Sequence, residues 1–130
     1  MDKKILVVDD DQSIRKLLDK ALEKAGYVSV IAESAEDALE ILEKENIQVM
    51  FLDLKLPGMN GIDLCRKIRK ENPIACMYAI TGYNSIFELT ECRDAGFDDY
   101  FLKPFDLSII IDAAKSGFAK IERWKQSNIV

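Results

Sequence analysis

The sequence contains no histidine and few residues of three other kinds. Its 130 residues include only three cysteines, three prolines and six glycines. Without histidine, the chain has no imidazole to ligate a metal, to complete a Ser-His-Asp triad or to become phosphorylated. If the protein uses a phosphoryl group, that group must therefore come from outside the chain.

The cysteines and the hydrophobic residues exclude further classes of protein. Cys65, Cys76 and Cys92 are an odd number without CxxC spacing, a pattern that disfavours a disulfide framework and a zinc site. No apolar run approaches the roughly 20 residues that cross a bilayer. Acidic residues near the N-terminus stand where a signal peptide would have its apolar core. We expect a cytoplasmic protein that does not bind a membrane.

Charge and length indicate one globular domain. Lysine and arginine number 18 and aspartate and glutamate 23, so the formal net charge is −5. A mildly acidic chain without a basic cluster is poorly suited to bind nucleic acid directly. Hydrophobic residues make up 48% of the chain, which is enough for a core. We expect a single domain over residues 1–126, followed by a short tail over residues 127–130.

Strand and helix patterns alternate five times along the chain. The predicted strands are short apolar runs, and a segment with helical periodicity follows each of them. Residues typical of helix N-caps precede these segments, namely Asp11, Ser34, Asn60, Ser85 and Asp106. The predicted strands span residues 4–9, 28–32, 48–53, 76–81 and 100–103. The predicted helices end near residues 25, 44, 70, 95 and 126.

Five strand–helix units predict a doubly wound α/β fold. Such units form a parallel sheet with helices on both faces, which makes a three-layer sandwich. In the first helix, the spacing predicts an apolar face that includes Leu17, Leu18 and Leu22. We adopt the flavodoxin-like strand order 2-1-3-4-5, which is taken from known doubly wound sheets and not from this sequence. That order places the first and third strands side by side.

Polar residues end four of the five predicted strands. Asp9 and Asp10 close the first strand, Asp53 the third, Thr81 the fourth and Lys103 the fifth. The carboxyl ends of parallel strands share one edge of the sheet, and ligands bind there. Alone, Asp9 and Asp10 fit helix capping as well as metal binding. Three crowded carboxylates repel one another unless a cation lies among them, so the set with Asp53 predicts a Mg²⁺ site.

The same residues suit the transfer of a phosphoryl group to a carboxylate. Such a transfer forms an aspartyl-phosphate, and it needs no general base because aspartate is already ionised at neutral pH. It does need alignment and neutralisation of the phosphoryl oxygens. Magnesium and the Lys103 ammonium can neutralise those oxygens, and the Thr81 hydroxyl can donate a hydrogen bond to one of them.

Four sequence blocks together resemble one protein family. The segments VVDDD, FLDLKLPGMNG, AITGY and DDYFLKPF resemble, in order and spacing, the response-regulator receiver domain of two-component signalling. The resemblance covers the whole chain. It implies a switch that accepts a phosphoryl group from a histidine kinase or phosphotransfer protein. It also implies a downstream target, or an effector domain that this chain lacks, and a homodimer that could depend on phosphorylation.

The resemblance assigns the acidic residues to phosphorylation and to metal binding. It implies that Asp53 is the phosphoacceptor and that Asp10 and Asp53 bind Mg²⁺ directly. Asp9 contributes to the acidic pocket, commonly through water. The backbone carbonyl of Lys55 completes the protein ligands.

The resemblance also assigns the residues that respond to the phosphoryl group. It implies that Thr81 and Lys103 contact this group and form the catalytic set with Asp53. In the family, the hydroxyl at the position of Thr81 then moves towards the phosphoryl oxygen, and the ring at the position of Tyr100 turns inward. The side chains of Lys55 and Tyr83 border the route of attacking water, so we expect them to tune the lifetime of the aspartyl-phosphate.

Two other functions fit the same pattern less well. A phosphohydrolase of the haloacid dehalogenase type needs a second aspartate two residues after its nucleophile, where this chain has Lys55. A flavin-binding module needs a first loop that holds phosphate, whereas Asp9, Asp10 and Asp11 would repel it. We therefore expect a signalling switch that catalyses only its own phosphorylation and dephosphorylation, and not an enzyme acting on other substrates.

Overall fold

The computed structural model of the protein describes residues 3–82 and 86–127, except for the side chains of residues 86, 87 and 127. Five strands and five helices alternate along them, as the sequence predicts. The strands are β1 (Lys4–Val8), β2 (Val28–Ala32), β3 (Val49–Asp53), β4 (Cys76–Thr81) and β5 (Asp99–Leu102). The helices are α1 (Gln12–Lys24), α2 (Ala35–Lys44), α3 (Gly61–Glu71), α4 (Ile86–Ala95) and α5 (Leu107–Ser127).

The five strands form one parallel sheet in the order β2-β1-β3-β4-β5, which confirms the predicted fold. β3 and β4 are buried along their whole length because helices cover both of their faces. β5 lies at one edge, and three of its four residues are exposed. The strand that leads to Lys103 is therefore the least buried of the four strands that lead to the predicted site residues.

Each face of the sheet has its own hydrophobic core. Side chains alternate between the two faces along a strand, so neighbouring residues of β1 and β3 enter different cores. Leu6 and Met50 pack with buried residues of α2, α3 and α4. Ile5 and Phe51 pack with buried residues of α1 and α5. This arrangement is the predicted three-layer sandwich.

The helices α1, α2, α3 and α5 are capped by the residues that the sequence predicts. The side chains of Asp11, Ser34, Asn60 and Asp106 each accept a hydrogen bond from a backbone N–H two or three residues later. These bonds satisfy N–H groups that have no partner within the helix. Ser85 lies outside the described residues, so its predicted cap stays a prediction.

Some predicted boundaries and one predicted face differ from the structure. β1 ends at Val8 and β5 at Leu102, so Asp9 and Lys103 follow their strands instead of ending them. The prediction that Leu17 belongs to the buried face of α1 was wrong, because this side chain is 43% exposed. Only the line of residues nearest the sheet, with Leu18 and Leu22, is fully buried.

The last helix continues through Ser127, one residue past its predicted end. The predicted division of the chain into a domain over residues 1–126 and a tail over residues 127–130 stays a prediction. Within the part of the chain that the structure describes, no helix combines the length and apolar character needed to cross a bilayer.

Candidate functional site

The structure brings the predicted site residues together at the carboxyl edge of the sheet. Val8 pairs with Leu52, so Asp9, which follows β1, lies next to Asp53 at the end of the neighbouring β3. Further along the sheet, the backbone N–H of Lys103 donates to the Thr81 carbonyl at 2.8 Å. Parallel pairing therefore places an acid, a hydroxyl and an ammonium around the end of β3.

Three carboxylates form a tight acidic cluster at this edge. One oxygen from each of Asp9, Asp10 and Asp53 lies within 4.8 Å of the other two. Asp9 is fully buried and Asp53 is 5% exposed, whereas Asp10 is exposed to solvent. The cluster is thus enclosed on the side of the sheet and open on the side of Asp10, where an ion can enter.

Lys103 is the cation that faces this cluster. Its Nζ atom lies 2.8 Å from Oδ2 of Asp9 and 3.4 Å from Oδ2 of Asp53. Oδ2 of Asp9 is buried and, among the described residues, accepts no bond of hydrogen-bond geometry. Three carboxylates and one ammonium leave an excess of negative charge. A small divalent cation with a preference for oxygen ligands fits this donor set.

Backbone and side-chain contacts fix the orientation of the two buried acids. Oδ1 of Asp9 accepts a hydrogen bond from the backbone N–H of Asp11 at 2.9 Å. Oδ1 of Asp53 accepts one from the backbone N–H of Lys55 at 3.2 Å. In each acid, one oxygen is held by the following loop, and Oδ2 faces Lys103.

Sequence reasoning missed Arg15 as a residue that supports the site. Its Nη1 donates to the carbonyl of Asp9 at 2.8 Å, and its Nη2 lies 3.9 Å from Glu33. The arginine therefore ties the loop after β1 to the loop after β2. The sequence feature that could have indicated this residue is a cation in the first turn of α1, four residues after Asp11.

Sequence reasoning also missed the role of Gly61. A Cβ atom at this position would lie 2.0 Å from the carbonyl oxygen of Asp53. The backbone N–H of Gly61 donates to the Leu54 carbonyl at 3.0 Å, which closes the loop after β3. Only glycine allows α3 to begin so close to the backbone of the predicted phosphoacceptor.

Burial and charge shift the pKa values of two site residues. Burial raises the pKa of the Asp53 carboxyl from 3.8 to about 6, and the charge of Asp9 adds to the rise, while Lys103 opposes it. Desolvation acts to lower the pKa of Lys103, but its contacts with Asp9 and Asp53 outweigh that effect and raise it. The ammonium stays protonated, and Asp53 holds a proton more readily than an exposed aspartate does.

The predicted switch residues lie beside the cluster. Thr81 is buried at the end of β4, whereas Tyr100 on β5 is 40% exposed. The next residue, Phe101, packs against Phe51 and Tyr78 in the core below α5, at ring-centroid distances of 6.5 and 5.7 Å. Tyr100 and Phe101 thus occupy opposite faces of β5, because side chains alternate along a strand. Their movement on phosphorylation stays a prediction.

Two predictions concern side chains at the entrance to the site. Lys55 is exposed next to Asp53. Tyr83 lies outside the described residues. A role of Lys55 and Tyr83 in tuning the lifetime of the phosphoryl group stays a prediction.

Comparison with known proteins identifies the family. Residues 5–115 match the family model described as the response regulator receiver domain. The chain belongs to this family. Receiver domains are signalling switches, so the family agrees with the kind of protein that the sequence predicts.

Curated relatives of this receiver domain include two proteins from Bacillus subtilis (strain 168). Sporulation initiation phosphotransferase F is 36% identical over 115 residues, which are 88% of this chain and 93% of that protein. The alkaline phosphatase synthesis transcriptional regulatory protein PhoP is 38% identical over 81% of this chain. The match covers only 44% of PhoP, so the chain spans less than half the length of this longer relative.

A solved structure shares the fold over nearly the whole chain. It is a CheY-like response regulator receiver domain protein from Methanospirillum hungatei JF-1, 32% identical, with a TM-score of 0.90. The match covers 95% of this chain and 98% of that one.

Proposed function

We propose that this receiver domain accepts a phosphoryl group on Asp53 from a histidine kinase or phosphotransfer protein. The carrying observation is the position of Asp53, whose Oδ2 faces the Lys103 ammonium at 3.4 Å within a cluster of three carboxylates. The carboxylate of Asp53, the Lys103 ammonium and two further carboxylates that could hold a metal thus lie at one place, which supports the proposal.

In the proposed reaction, an oxygen of Asp53 attacks phosphorus with a lone pair. The new O–P bond forms as the bond between phosphorus and the donor breaks, and the donor leaves with the bonding electrons. No base is needed, because the attacking carboxylate carries no proton in its reactive form. The Lys103 ammonium neutralises one phosphoryl oxygen, and the Thr81 hydroxyl donates a hydrogen bond to another.

The acidic cluster fits a magnesium cofactor. We propose that Asp9, Asp10, Asp53 and the Lys55 carbonyl would hold Mg²⁺. When bound, the ion would supply positive charge to the phosphoryl oxygens and offset the repulsion among the carboxylates.

The switch that follows would involve Thr81 and Tyr100. If the Thr81 hydroxyl moves towards the phosphoryl group, the space that it leaves favours an inward position of the Tyr100 ring, which is exposed in this structure. This change alters the face formed by α4, β5 and α5. We propose that this face binds a downstream target, an effector domain or a second copy of the chain in a phosphorylation-dependent way.

Intact-mass measurement tests the proposed phosphorylation. The protein is incubated with Mg²⁺ and acetyl phosphate, and one added phosphoryl group is expected on the wild type and none on Asp53→Asn. Asp112→Asn, which changes an exposed acid on α5, is the matched control and should be modified like the wild type. An unmodified wild-type protein, or an adduct that persists in Asp53→Asn, would contradict the proposal.

A further inference from the structure

Three charged side chains meet at the amino end of β4 and β5, opposite the candidate site. Asp98, which precedes β5, lies between Arg69 of α3 and Lys120 of α5. Its Oδ2 is 3.2 Å from Nη2 of Arg69, and its Oδ1 is 2.8 Å from Nζ of Lys120. The side chain is 20% exposed, so this group of charges is partly enclosed by the fold.

Arg69 joins the two turns that lead into β4 and β5. Its Nη1 donates to the carbonyls of Pro73 and Ala75, at 2.9 and 2.6 Å, in the turn before β4. Its Nη2 donates to the carbonyl of Gly96 in the turn before β5. A side chain at Gly96 would come within 2.9 Å of Nε of Arg69, so this turn is packed directly on the guanidinium.

Asp98 contacts both backbone polar groups of Met77 at the start of β4. Its backbone N–H donates to the Met77 carbonyl at 2.8 Å. Its Oδ2 accepts from the Met77 N–H, also at 2.8 Å. Asp98 is therefore fixed opposite Met77, one residue before the first regular pair of the two strands, Tyr78 with Asp99.

The register of β5 needs such a fixed point. The strand has only four residues, lies at the edge of the sheet and buries little beyond Phe101, so side-chain packing specifies its register weakly. The register nevertheless determines the position of Lys103. Leu102 pairs with Thr81, and Lys103 then directs its ammonium to Asp9 and Asp53.

We propose that Asp98 is a positioning residue for the reaction at Asp53. Held by Arg69 and Lys120, it fixes β5 in register on β4 and so fixes the Lys103 ammonium beside the phosphoacceptor. This inference rests on the proposed function, and it adds a requirement at the opposite end of the sheet.

The test compares phosphorylation rates with acetyl phosphate in wild type, Asp98→Ala and Asp98→Asn. We expect Asp98→Ala to react about tenfold more slowly, because both the charge and the acceptor for Met77 are lost. Asp98→Asn keeps an acceptor and should fall between the two. The control is Asp99→Asn, because the Asp99 side chain bonds to the backbone N–H of the next residue and should leave the rate unchanged.

A local readout separates positioning from general destabilisation. The backbone N–H of Lys103 reports the register through its bond to Thr81, so its hydrogen exchange should accelerate in Asp98→Ala while amides of β1 and β3 keep their protection. Combining Asp98→Ala with Lys103→Ala should give no further loss of rate beyond Lys103→Ala alone. Equal loss in both backgrounds, or exchange that rises across the whole sheet, would overturn the inference.

Substitute variants and a separate readout distinguish failure of the positioning role from failure of the proposed function. If Asp98→Ala does not fold, Asp98→Asn and Lys120→Met serve instead, and an unchanged rate in both would count against the inference. An unmodified wild-type protein would refute the proposed function, whereas the Lys103 exchange measurement would still decide whether Asp98 sets the register. A modified wild type with an equally reactive Asp98→Ala would refute the positioning role alone.

Discussion

The two ends of the sheet differ in how their charges are matched. At the amino end, Asp98 has two cationic partners, and Arg69 also satisfies backbone carbonyls. At the carboxyl end, among the residues that the structure describes, three clustered carboxylates face the ammonium of Lys103. Charges with partners of opposite sign stabilise the strands and turns that they join. The acidic cluster has more negative than positive charge, so a bound cation would stabilise it. The proposed magnesium-dependent function is based on this excess of negative charge.

The largest loss of stability is expected at Gly61, where the start of α3 lies against the backbone of Asp53 at the carboxyl end of the sheet. Gly61→Ala would place a Cβ atom 2.0 Å from the Asp53 carbonyl oxygen, so α3 or β3 must move. We expect the free energy of unfolding to fall by about 3 kcal/mol or more in urea titrations. Gly82→Ala is the control, since a Cβ there meets no atom of the described residues within 4 Å, and it should change stability by less than about 1 kcal/mol. Equal stability of the two variants would contradict the close approach.

The unmatched charge should also appear in the pH dependence of stability. The folded-state pKa of Asp53 is about 6 against an ordinary value of 3.8, so the folded protein binds this proton more tightly than the unfolded chain does. Without Mg²⁺, this residue therefore stabilises the fold below pH 4, and that contribution is lost as the pH rises through 6. The expected loss is at most about 3 kcal/mol.

The readout for this prediction is the difference between wild type and Asp53→Asn in urea titrations from pH 4 to 7. Taking the difference removes the titration of the other carboxylates. Wild type should lose stability relative to Asp53→Asn as the pH rises. A relative gain over the same range would show that the pKa of Asp53 is lowered, and not raised, by its surroundings.

Removing the Lys103 ammonium from the cluster should strengthen metal binding. Lys103→Met leaves the three carboxylates without their cation, so we expect Mg²⁺ to bind about tenfold more tightly, or by about 1.4 kcal/mol. Calorimetric titration at pH 8 measures the affinity. Lys115→Met removes an exposed lysine of α5 and should leave Mg²⁺ affinity unchanged. Weaker binding in Lys103→Met would mean that the lysine supports the metal site.

The smallest effect is expected for an exposed, matched pair at the amino end. Lys4 and Glu45 are 2.7 Å apart, but their side chains are 41% and 35% exposed, so water screens the interaction. Lys4→Met should lower the free energy of unfolding by less than about 1 kcal/mol. A double-mutant cycle with Glu45→Gln in urea isolates the pair, and a coupling of several kcal/mol would contradict this estimate of screening.

The sequence predicted the features that depend on local pattern. Asp53 and Thr81 were found because each ends a buried apolar strand, and Asn60 because caps lie at a fixed distance from their helix. Strand order was adopted from known folds, since pairing across the sheet leaves no local signal. Leu17 was placed on the wrong face because helical spacing does not show how much of a helix the sheet covers.

The supporting residues of the site were beyond local reasoning. Arg15 bonds to a backbone carbonyl, which any residue can offer, so the presence of a cation in the first turn of α1 does not by itself identify its partner. Asp98 is separated in the sequence from Arg69 by 29 residues and from Lys120 by 22 residues, and it meets them only in the folded chain. Such partners follow only from the tertiary structure.

Asp53 and Lys103, which face each other across the site, are 50 residues apart in the chain; Asp53 ends β3 and Lys103 follows β5. During synthesis the acids emerge first, and the ammonium arrives only with the last strand. Under the proposed function, a chain in which β5 has not yet paired with β4 holds Asp53 without the Lys103 ammonium beside it. Reaction with a phosphodonor would then depend on the folding of the last strand.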